Sequence, residues 1–301
     1  MPFYSVPPAY ERVRRHIYDL KTRIALPALR VLPVGRSLLG RGIYAITIGN
    51  PMEANLMVGG VHGSEWITTL LMLRFADRLG EALRTGGCLS GMDVSRIGGE
   101  RSVVIVPALN PAGIEIALAG AEAALFCQKE VTRMAGDTDL SRWQANARGV
   151  DLNHNFAAGW DILHQMEQAA GITGPGPTKY GGTAPHSEPE TRAIVHFIQS
   201  YRPRNLYAFH AQGEEIYCRY GENTPPASVI IGELLSDLSG YALLDSEGTA
   251  SHGGLKDWFI ETYGRPGFTF EVGRGQNPLP IKDFPALYER LEKALIMVAM
   301  L

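Results

Sequence analysis

The stretch NLMVGGVHGSEW, residues 55–66, joins a short apolar run to the start of a helical pattern. The apolar run at 55–58 leads into two glycines and predicts a strand. A helix is predicted over residues 65–83, because apolar side chains recur there at helical spacing, at Ile67, Leu70, Leu71, Phe75 and Leu79. A strand that passes directly into a helix is the repeating unit of an α/β sheet.

The rest of the chain repeats this alternation. Further strands are predicted at residues 43–48, 102–106, 205–209 and 268–272, and further helices at residues 10–21 and 283–300. Residues 26–37 and 171–189 are predicted to be loops, since proline and glycine interrupt them. The pattern favours an α/β fold with helices on both faces of the sheet. We divide it into a helical N-terminal appendage, residues 1–25, and one main domain, residues 26–301.

Composition argues against two classes of partner. The chain has 301 residues, of which 45% are hydrophobic and 20% charged, as is usual for a globular protein. A formal net charge of −3 gives no basic surplus that would indicate nucleic acid binding. No apolar stretch approaches the roughly 20 residues that a membrane span requires. We therefore expect neither nucleic acid nor membrane as a partner, and the sequence gives no indication of oligomeric state.

The cellular compartment is inferred from the N-terminal residues and the cysteines. The first residues lack the apolar core and the small-residue cleavage site of a secretory signal. The three cysteines, Cys88, Cys127 and Cys218, form neither a disulfide framework nor a metal-binding CxxC pair. Inert thiols in a reducing compartment are the simplest interpretation, so a cytoplasmic location is predicted.

Three side chains with metal-ligating chemistry are expected to meet at one edge of the sheet. His62 and Glu65 are separated by two residues and can reach one ion from a single turn, and His210 follows the apolar run at 205–209. In open α/β sheets, sites form beyond the carboxyl ends of the strands. Two histidines and one carboxylate leave a fourth position of zinc free for water, which is typical of a catalytic zinc. We therefore predict a Zn²⁺ site formed by these three residues.

Glu271 lies within the apolar run FTFEV, residues 268–272, where a carboxylate without a function would be costly. Near the end of its strand it could act as the general base for a zinc-bound water. Each of these residues also has an ordinary interpretation, as a chance His-x-x-Glu pair, a core histidine or an ion-pair partner. The other histidines have no comparable context and are predicted to be surface or supporting residues: His16, His164, His186, His196 and His252.

Six motifs then occur in a fixed order: HGSEWIT (62–68), NPAG (110–113), RGVDLNHNF (148–156), SEPET (187–191), FHAQGEEIY (209–217) and FTFEVG (268–273). In this order they resemble the carboxypeptidase A family of zinc metallopeptidases, over about residues 32–280. The resemblance implies a carboxypeptidase-like fold with a mostly parallel, mixed and twisted sheet. It also implies that His62, Glu65 and His210 hold the metal and that Glu271 is catalytic, so that residues 26–301 form a zinc peptidase domain.

A finer resemblance concerns the substrate. HAQGEEIY (210–217), TASHGGLKDWF (249–259) and EVGRGQNPLP (271–280) are similar to the γ-D-glutamyl-diaminopimelate peptidases, a bacterial branch that cuts cell-wall stem peptides. This implies a small peptide substrate with a free carboxylate, cut at a peptide or isopeptide bond. A general metallocarboxypeptidase of the same branch is the alternative.

Two departures from the family pattern affect substrate binding. The Asn-Arg pair that grips the substrate carboxylate reads Asn153-His154, and histidine offers at most one charged donor in place of a bidentate fork. Carboxylate capture is then weaker, pH-dependent or taken over by another group, or His154 is a capping or supporting residue. The arginine that polarises the scissile carbonyl falls at Gln144, unless a shift of the loop brings in Arg142.

Selectivity is the last expectation from the resemblance. The residue at the base of the side-chain pocket is Lys256, which would favour an acidic substrate group, although a solvated lysine on a helix is an equal alternative. Thr249 stands where the family has a mobile tyrosine. Two rival functions fit parts of the pattern: an N-acyl amino acid deacylase of the aspartoacylase or succinylglutamate desuccinylase type, and an inactive peptide-binding module.

Overall fold

The computed structural model describes residues 2–245 and 252–301. In these residues the strands are β1 (Leu29–Arg36), β2 (Gly42–Ile48), β3 (Asn55–Val58), β4 (Cys88–Leu89), β5 (Met92–Asp93), β6 (Val103–Val106), β7 (Asn205–His210), β8 (Glu215–Tyr217), β9 (Ala242–Leu244) and β10 (Gly267–Glu271). The α-helices are α1 (Tyr10–Ile24), α2 (Ile67–Thr85), α3 (Pro111–Ala119), α4 (Gln128–Ala135), α5 (Trp160–Ala169), α6 (Pro189–Tyr201), α7 (Pro226–Ser239), α8 (Leu255–Tyr263) and α9 (Phe284–Met300).

The main sheet confirms the α/β prediction. Within the described residues it has eight strands in the order β1-β2-β6-β3-β7-β10-β8-β9, and β4 pairs with β5 in a separate hairpin. The four central strands β6, β3, β7 and β10 are parallel. The pairs β1–β2, β2–β6 and β8–β10 are antiparallel, and β9 pairs parallel with β8. The sheet is thus mostly parallel and mixed, as expected, and the carboxyl ends of its central strands share one edge.

Helices cover both faces of the sheet because the central strands are apolar on both sides. In β7, Tyr207 and Phe209 pack in one core cluster with residues of α2 and α9, whereas Leu206 and Ala208 pack in a second cluster with residues of α6 and α8. Successive side chains of a strand point to opposite faces, so a continuous apolar run is what a doubly covered strand requires. This burial holds the strand ends, and the polar residues that follow them, in fixed positions.

The structure agrees with the predicted strands to within one residue at each end and corrects one loop. Residues 29–36, predicted to lie in a loop, form β1. Proline and glycine are accommodated in this strand because, among the described strands, β1 pairs with β2 alone, and its register shifts between Pro33 and Gly35. An edge strand tolerates a proline and a bulge that a central strand would not.

The N-terminal helix α1 packs into the main core. Its buried side chains Ile17, Leu20 and Ile24 join the same cluster as α2 and α9. At the contact with α2, a Cβ atom on Gly80 would lie only 3.2 Å from Ile24, so the missing side chain lets the two helices approach closely. The boundary at residue 25 stays a prediction, but the helix before it shares the core of the larger unit. Among the described helices, none is long and apolar enough to cross a lipid bilayer.

Candidate metal centre

The three predicted ligands meet at the carboxyl edge of the sheet. His62 follows β3, Glu65 ends a 3-10 turn that leads into α2, and His210 is the last residue of β7. Nδ1 of His62 lies 2.9 Å from Oε1 of Glu65 and 3.2 Å from Nδ1 of His210, which in turn lies 3.2 Å from Oε2 of Glu65. One ligand atom from each side chain falls within 4.8 Å of the other two, a grouping that could hold a metal ion.

The turn that carries His62 and Glu65 is fixed by its glycine. A Cβ atom on Gly63 would collide with the carbonyl oxygens of Gly113 and Trp143, so only glycine fits this close approach. The N–H of Gly63 donates to the carbonyl of Gln144 at 3.0 Å. The ligand turn is therefore attached directly to the loop that supplies the next wall of the cavity.

Asp151 supports the ligand group from the outer side. Its Oδ1 lies 2.9 Å from Nε2 of His62, and its Oδ2 accepts from the backbone N–H of Lys179 at 2.9 Å. A carboxylate on the far nitrogen fixes the ring and leaves Nδ1 of His62 facing the centre, as is usual for metal-bound histidines. Ala211 adds a backbone N–H that donates to Oε2 of Glu65 at 3.2 Å.

The charges of this group are tightly linked. Burial alone opposes a charged imidazole, but the carboxylates of Glu65 and Asp151 raise the pKa of His62 well above its ordinary value. Burial likewise opposes a charged carboxylate, yet His62 and His210 lower the pKa of Glu65 to about 2. The anions are thus stabilised by whatever positive charge lies between them.

These residues fit a divalent zinc ion. Two imidazole nitrogens and a carboxylate oxygen converge, which is a donor set that zinc prefers and that leaves a coordination position open. Asp151, which contacts the nitrogen of His62 that faces away from the ligand group, is the kind of supporting carboxylate expected around such a metal. The site is also rich in carboxylates, with Glu65, Asp151 and Glu271 close to the two histidines, and a divalent cation would offset that charge.

The ligand group lies at one wall of a cavity of about 820 Å³. Residues from several loops and strand ends line the rest of it. Among those that sequence reasoning proposed are Gln144, Asn153, His154, Lys256 and Glu271. The structure therefore brings all the predicted site residues together except Arg142, which is exposed and does not line the cavity.

Glu271 ends β10, beside His210 at the end of β7, to which it is the register partner. On its other side it is the register partner of Glu215 in β8. Burial, the carboxylate of Glu65 and that of Glu215 raise the pKa of Glu271 well above its ordinary value. A carboxylate whose pKa is raised in this way is a stronger base than an ordinary glutamate, which suits it to accept a proton in general acid–base catalysis.

His154 belongs to a charged network that the sequence did not reveal. Its Nδ1 lies 2.8 Å from Oε1 of Glu167, a fully buried carboxylate of α5. Against the effect of burial, Asp151 and Glu167 raise the pKa of His154. Because Nδ1 is occupied by Glu167, Nε2 is the nitrogen available to a ligand in the cavity, on a ring that favours the charged form.

Asn153 is tied to the start of α8. Its side-chain Oδ1 accepts a hydrogen bond from the backbone N–H of Leu255 at 3.1 Å, and its backbone N–H donates to Oδ1 of Asp151 at 3.1 Å. This leaves the amide Nδ2 as the donor that can face the cavity. The side chain of Gln144 is oriented by Thr178, whose hydroxyl donates a hydrogen bond to its Oε1.

Lys256 is buried in the cavity wall and is not a solvated helix residue, since only 3% of it is exposed. Its Nζ donates to the carbonyl of Arg219 at 2.8 Å and forms an ion pair with Asp257. An acidic substrate group would therefore compete with Asp257 or use the third N–H of the ammonium group. Thr249 lies outside the described residues.

Several cavity residues were missed by sequence reasoning. Asp151 lies in the motif RGVDLNHNF, for which no role was predicted at this position. Its place two residues before Asn153 is the sequence feature that could have indicated a role in the site. His252, predicted to be a surface or supporting residue, lines the cavity, and its Nδ1 lies 3.3 Å from the hydroxyl of Tyr220. Glu215 and Tyr217 also line it, and nothing in their local sequence distinguishes them from an ordinary short strand.

Comparison with known proteins identifies the family. A family model described as zinc carboxypeptidase matches residues 21–293. The chain belongs to the zinc carboxypeptidase family. The family is zinc-dependent and acts on peptides, so this family member is a metallopeptidase, as the motifs predicted.

Individual relatives agree with this assignment. The family member is 35% identical over 281 residues to γ-D-glutamyl-L-diamino acid endopeptidase 1 of Lysinibacillus sphaericus, covering 93% of this chain and 69% of the relative. It is 24% identical over 257 residues to bovine carboxypeptidase B, covering 79% and 56%.

Solved structures show the same fold. Bovine thrombin-activatable fibrinolysis inhibitor, in complex with tick carboxypeptidase inhibitor, superposes with a TM-score of 0.74 at 18% identity, covering 99% of this chain and 98% of the other. The murein-tripeptide amidase of Escherichia coli O157 gives a TM-score of 0.56 at 22% identity, covering 91% and 98%. The carboxypeptidase-like sheet expected from the motifs is thereby confirmed.

Proposed function

We propose that this metallopeptidase binds Zn²⁺ through His62, Glu65 and His210 and hydrolyses the γ-D-glutamyl bond to a diamino acid in small cell-wall peptides. The observation that carries the proposal is the convergence of the three ligand atoms within 4.8 Å, with Glu271 on the adjacent strand end. The similarity to an endopeptidase named for γ-D-glutamyl-L-diamino acid bonds supports this substrate class.

The chemistry is divided between the metal and the protein. Zinc, when bound, supplies a Lewis acid that polarises the scissile carbonyl and lowers the pKa of water. Glu271 removes the proton from the attacking water and delivers it to the leaving amine. Its buried position and its acidic neighbours raise its pKa, which makes the carboxylate a stronger base for the first of these transfers.

Two further groups act on the substrate. Gln144, held by Thr178, donates a hydrogen bond to the oxygen that becomes negative in the transition state. Asn153 and the charged ring of His154 bind the free carboxylate of the substrate, and Glu167 keeps that ring in place. Lys256 supplies a third donor for an acidic group, in competition with Asp257.

We further propose that the enzyme works in the cytoplasm. Cys88, Cys127 and Cys218 are all free thiols, and Cys88 is exposed. Free thiols without partners fit a reducing compartment. Small wall peptides that return to the cytoplasm would then be the substrates.

The deciding experiment is mass spectrometry of the products formed from L-Ala-γ-D-Glu-diaminopimelate by the zinc-loaded enzyme. Glu271→Gln is compared with Glu289→Gln, a change at an exposed glutamate of α9 that does not line the cavity. We expect wild type and Glu289→Gln to release free diaminopimelate. Glu271→Gln is expected to retain zinc but to lose at least about 100-fold in kcat.

The other outcomes point elsewhere. Release of no diaminopimelate by the wild type would exclude the wall-peptide substrate and direct attention to ordinary C-terminal peptides. Hydrolysis of N-acyl amino acids without any peptide cleavage would favour the deacylase alternative. Zinc retention without turnover of any of these compounds would favour a binding module.

A further inference from the structure

We infer that Glu215 is the anion that recognises the second amino group of the diamino acid, the group that distinguishes this substrate class from ordinary peptides. The inference rests on the proposed function and goes beyond it, because it names the residue that selects the substrate side chain.

Strand register places Glu215 in the cavity. In the antiparallel pair β8–β10, Glu215 lies opposite Glu271 and Tyr217 lies opposite Thr269. Opposite residues in such a pair point to the same face, and residues two apart share that face. All four of these side chains line the cavity, whereas Ile216 and Phe270 between them point into the core.

The carboxylate of Glu215 lacks a cation. Its Oε2 accepts from the hydroxyl of Tyr217 at 2.6 Å, and in the part of the chain that the structure describes it forms no ion pair. The hydroxyl fixes one oxygen of the carboxylate, and the other accepts no hydrogen bond from the described residues. This half-buried carboxylate is suited to bind a cationic group of a ligand, because burying its charge without a cation costs free energy.

The neighbouring charges are already balanced. Glu214, the adjacent residue, pairs with Arg274 and Arg290, each at 2.7 Å, and does not line the cavity. Lys256, which also lines the cavity, pairs with Asp257. Glu215 therefore differs from both: it faces the cavity, and its charge is not used by the protein itself.

The chemistry of a diamino acid completes the argument. Its α-carboxylate matches the donors of Asn153 and His154, and its side chain ends in a primary ammonium group that matches a carboxylate acceptor. A cavity with donors at one place and a free anion at another can hold both ends of such a residue. An aliphatic side chain without the amine would leave Glu215 desolvated and unpaired, which is the stronger source of discrimination.

The test uses two tripeptides that differ only in the amine, L-Ala-γ-D-Glu-L-Lys and L-Ala-γ-D-Glu-L-norleucine. The readout is the ratio of their kcat/KM values in wild type, Glu215→Gln and the matched neighbour Glu214→Gln. We expect the wild type and Glu214→Gln to prefer lysine by tenfold or more. In Glu215→Gln that ratio should approach one, because KM rises for the lysine peptide and falls for the norleucine peptide, which no longer leaves a buried charge unpaired.

An equal ratio in wild type and Glu215→Gln would overturn the inference, as would a wild type that cleaves both peptides equally well. If neither peptide is cleaved by the wild type, the proposed function fails, and binding then tests Glu215 by itself. Calorimetry with zinc-loaded Glu271→Gln and with the double variant Glu271→Gln/Glu215→Gln measures that binding. Tighter binding of the lysine peptide that is lost in the double variant supports the inference, and equal binding contradicts it.

Discussion

The carboxylate of Asp151 lies 2.9 Å from Nε2 of His62, on the side of the ring opposite to Glu65. Asp151 also accepts a hydrogen bond from the backbone N–H of Lys179. The loop around residue 179 therefore positions Asp151, and Asp151 in turn positions His62. His62 is thereby fixed between two carboxylates, and its orientation is set before any metal binds.

This relationship predicts that Asp151 controls metal affinity. Asp151→Asn keeps the size of the side chain but weakens the charge that orients His62, so zinc affinity should fall about 10- to 100-fold. The measurement is competition with a chelator of known affinity. Asp137→Asn, at an exposed aspartate, is the control and should bind zinc like the wild type. Unchanged affinity in Asp151→Asn would show that the ring needs no such support.

Substitutions of Gln144 and Arg142 should affect kcat differently, because only Gln144 is placed to donate a hydrogen bond to the oxyanion. Gln144 lines the cavity and Arg142 is exposed, so Gln144→Ala should lower kcat by at least about tenfold while Arg142→Ala changes it less than twofold. The loss belongs in kcat and not in KM, because the donor acts on charge that develops in the transition state. Steady-state kinetics on one tripeptide separates the two, and a larger effect at Arg142 would mean that the loop moves when substrate binds.

His154 predicts a pH-dependent KM. Its pKa is raised above the ordinary imidazole value of 6.5 by Asp151 and Glu167, against burial and the opposing charge of His62. The ring is therefore mostly charged at pH 6.5 and below, and KM for a substrate with a free carboxylate should be low there. It should increase as the pH rises through the raised pKa, because the neutral ring loses its attraction for the carboxylate.

Two comparisons isolate this effect from other titrations. His154→Gln should raise KM at neutral pH and remove the alkaline increase, and a substrate with an amidated C-terminus should show no such increase even with wild type. His196→Gln, at an exposed histidine of α6, serves as the control for the substitution. A KM profile that is the same in His154→Gln and wild type would argue for a supporting role only.

The N-terminal helix provides a prediction about stability. Leu20 is fully buried in the core shared with α2, so Leu20→Ala should lower the free energy of unfolding by about 2–5 kcal/mol. Asp19→Ala, at the exposed neighbouring position, should change it by less than about 0.5 kcal/mol. Chemical denaturation measures both. A negligible loss for Leu20→Ala would indicate that α1 is an independent appendage.

The sequence predicted the ligand group because each part of it depends on local pattern. Apolar runs identify doubly covered strands, parallel strands bring their carboxyl ends to one edge, and His62, His210 and Glu271 follow or end such strands. The supporting partners depend instead on long-range packing. Glu167 reaches His154 from a helix whose surface pattern is ordinary, and no local signal marks it.

The missed strands have a similar explanation. β1 carries a proline and a bulge that only its position at the edge of the sheet permits, and that position is a property of the assembled sheet. β8 and β9 are three residues each, too short for an alternating pattern to be recognised. The chemistry of Glu215 was hidden for this reason, since its direction depends on the pairing of β8 with β10.

That pairing also limits how such an enzyme can evolve. Shifting β8 by a single residue would turn Ile216 toward the cavity and bury Glu215 and Tyr217 in the core. Insertions or deletions in the four-residue connection from β7 to β8 would thus exchange the whole face at once. Point substitution at positions 215 and 217 changes one cavity side chain at a time, whereas a register shift of β8 changes both faces of the strand together.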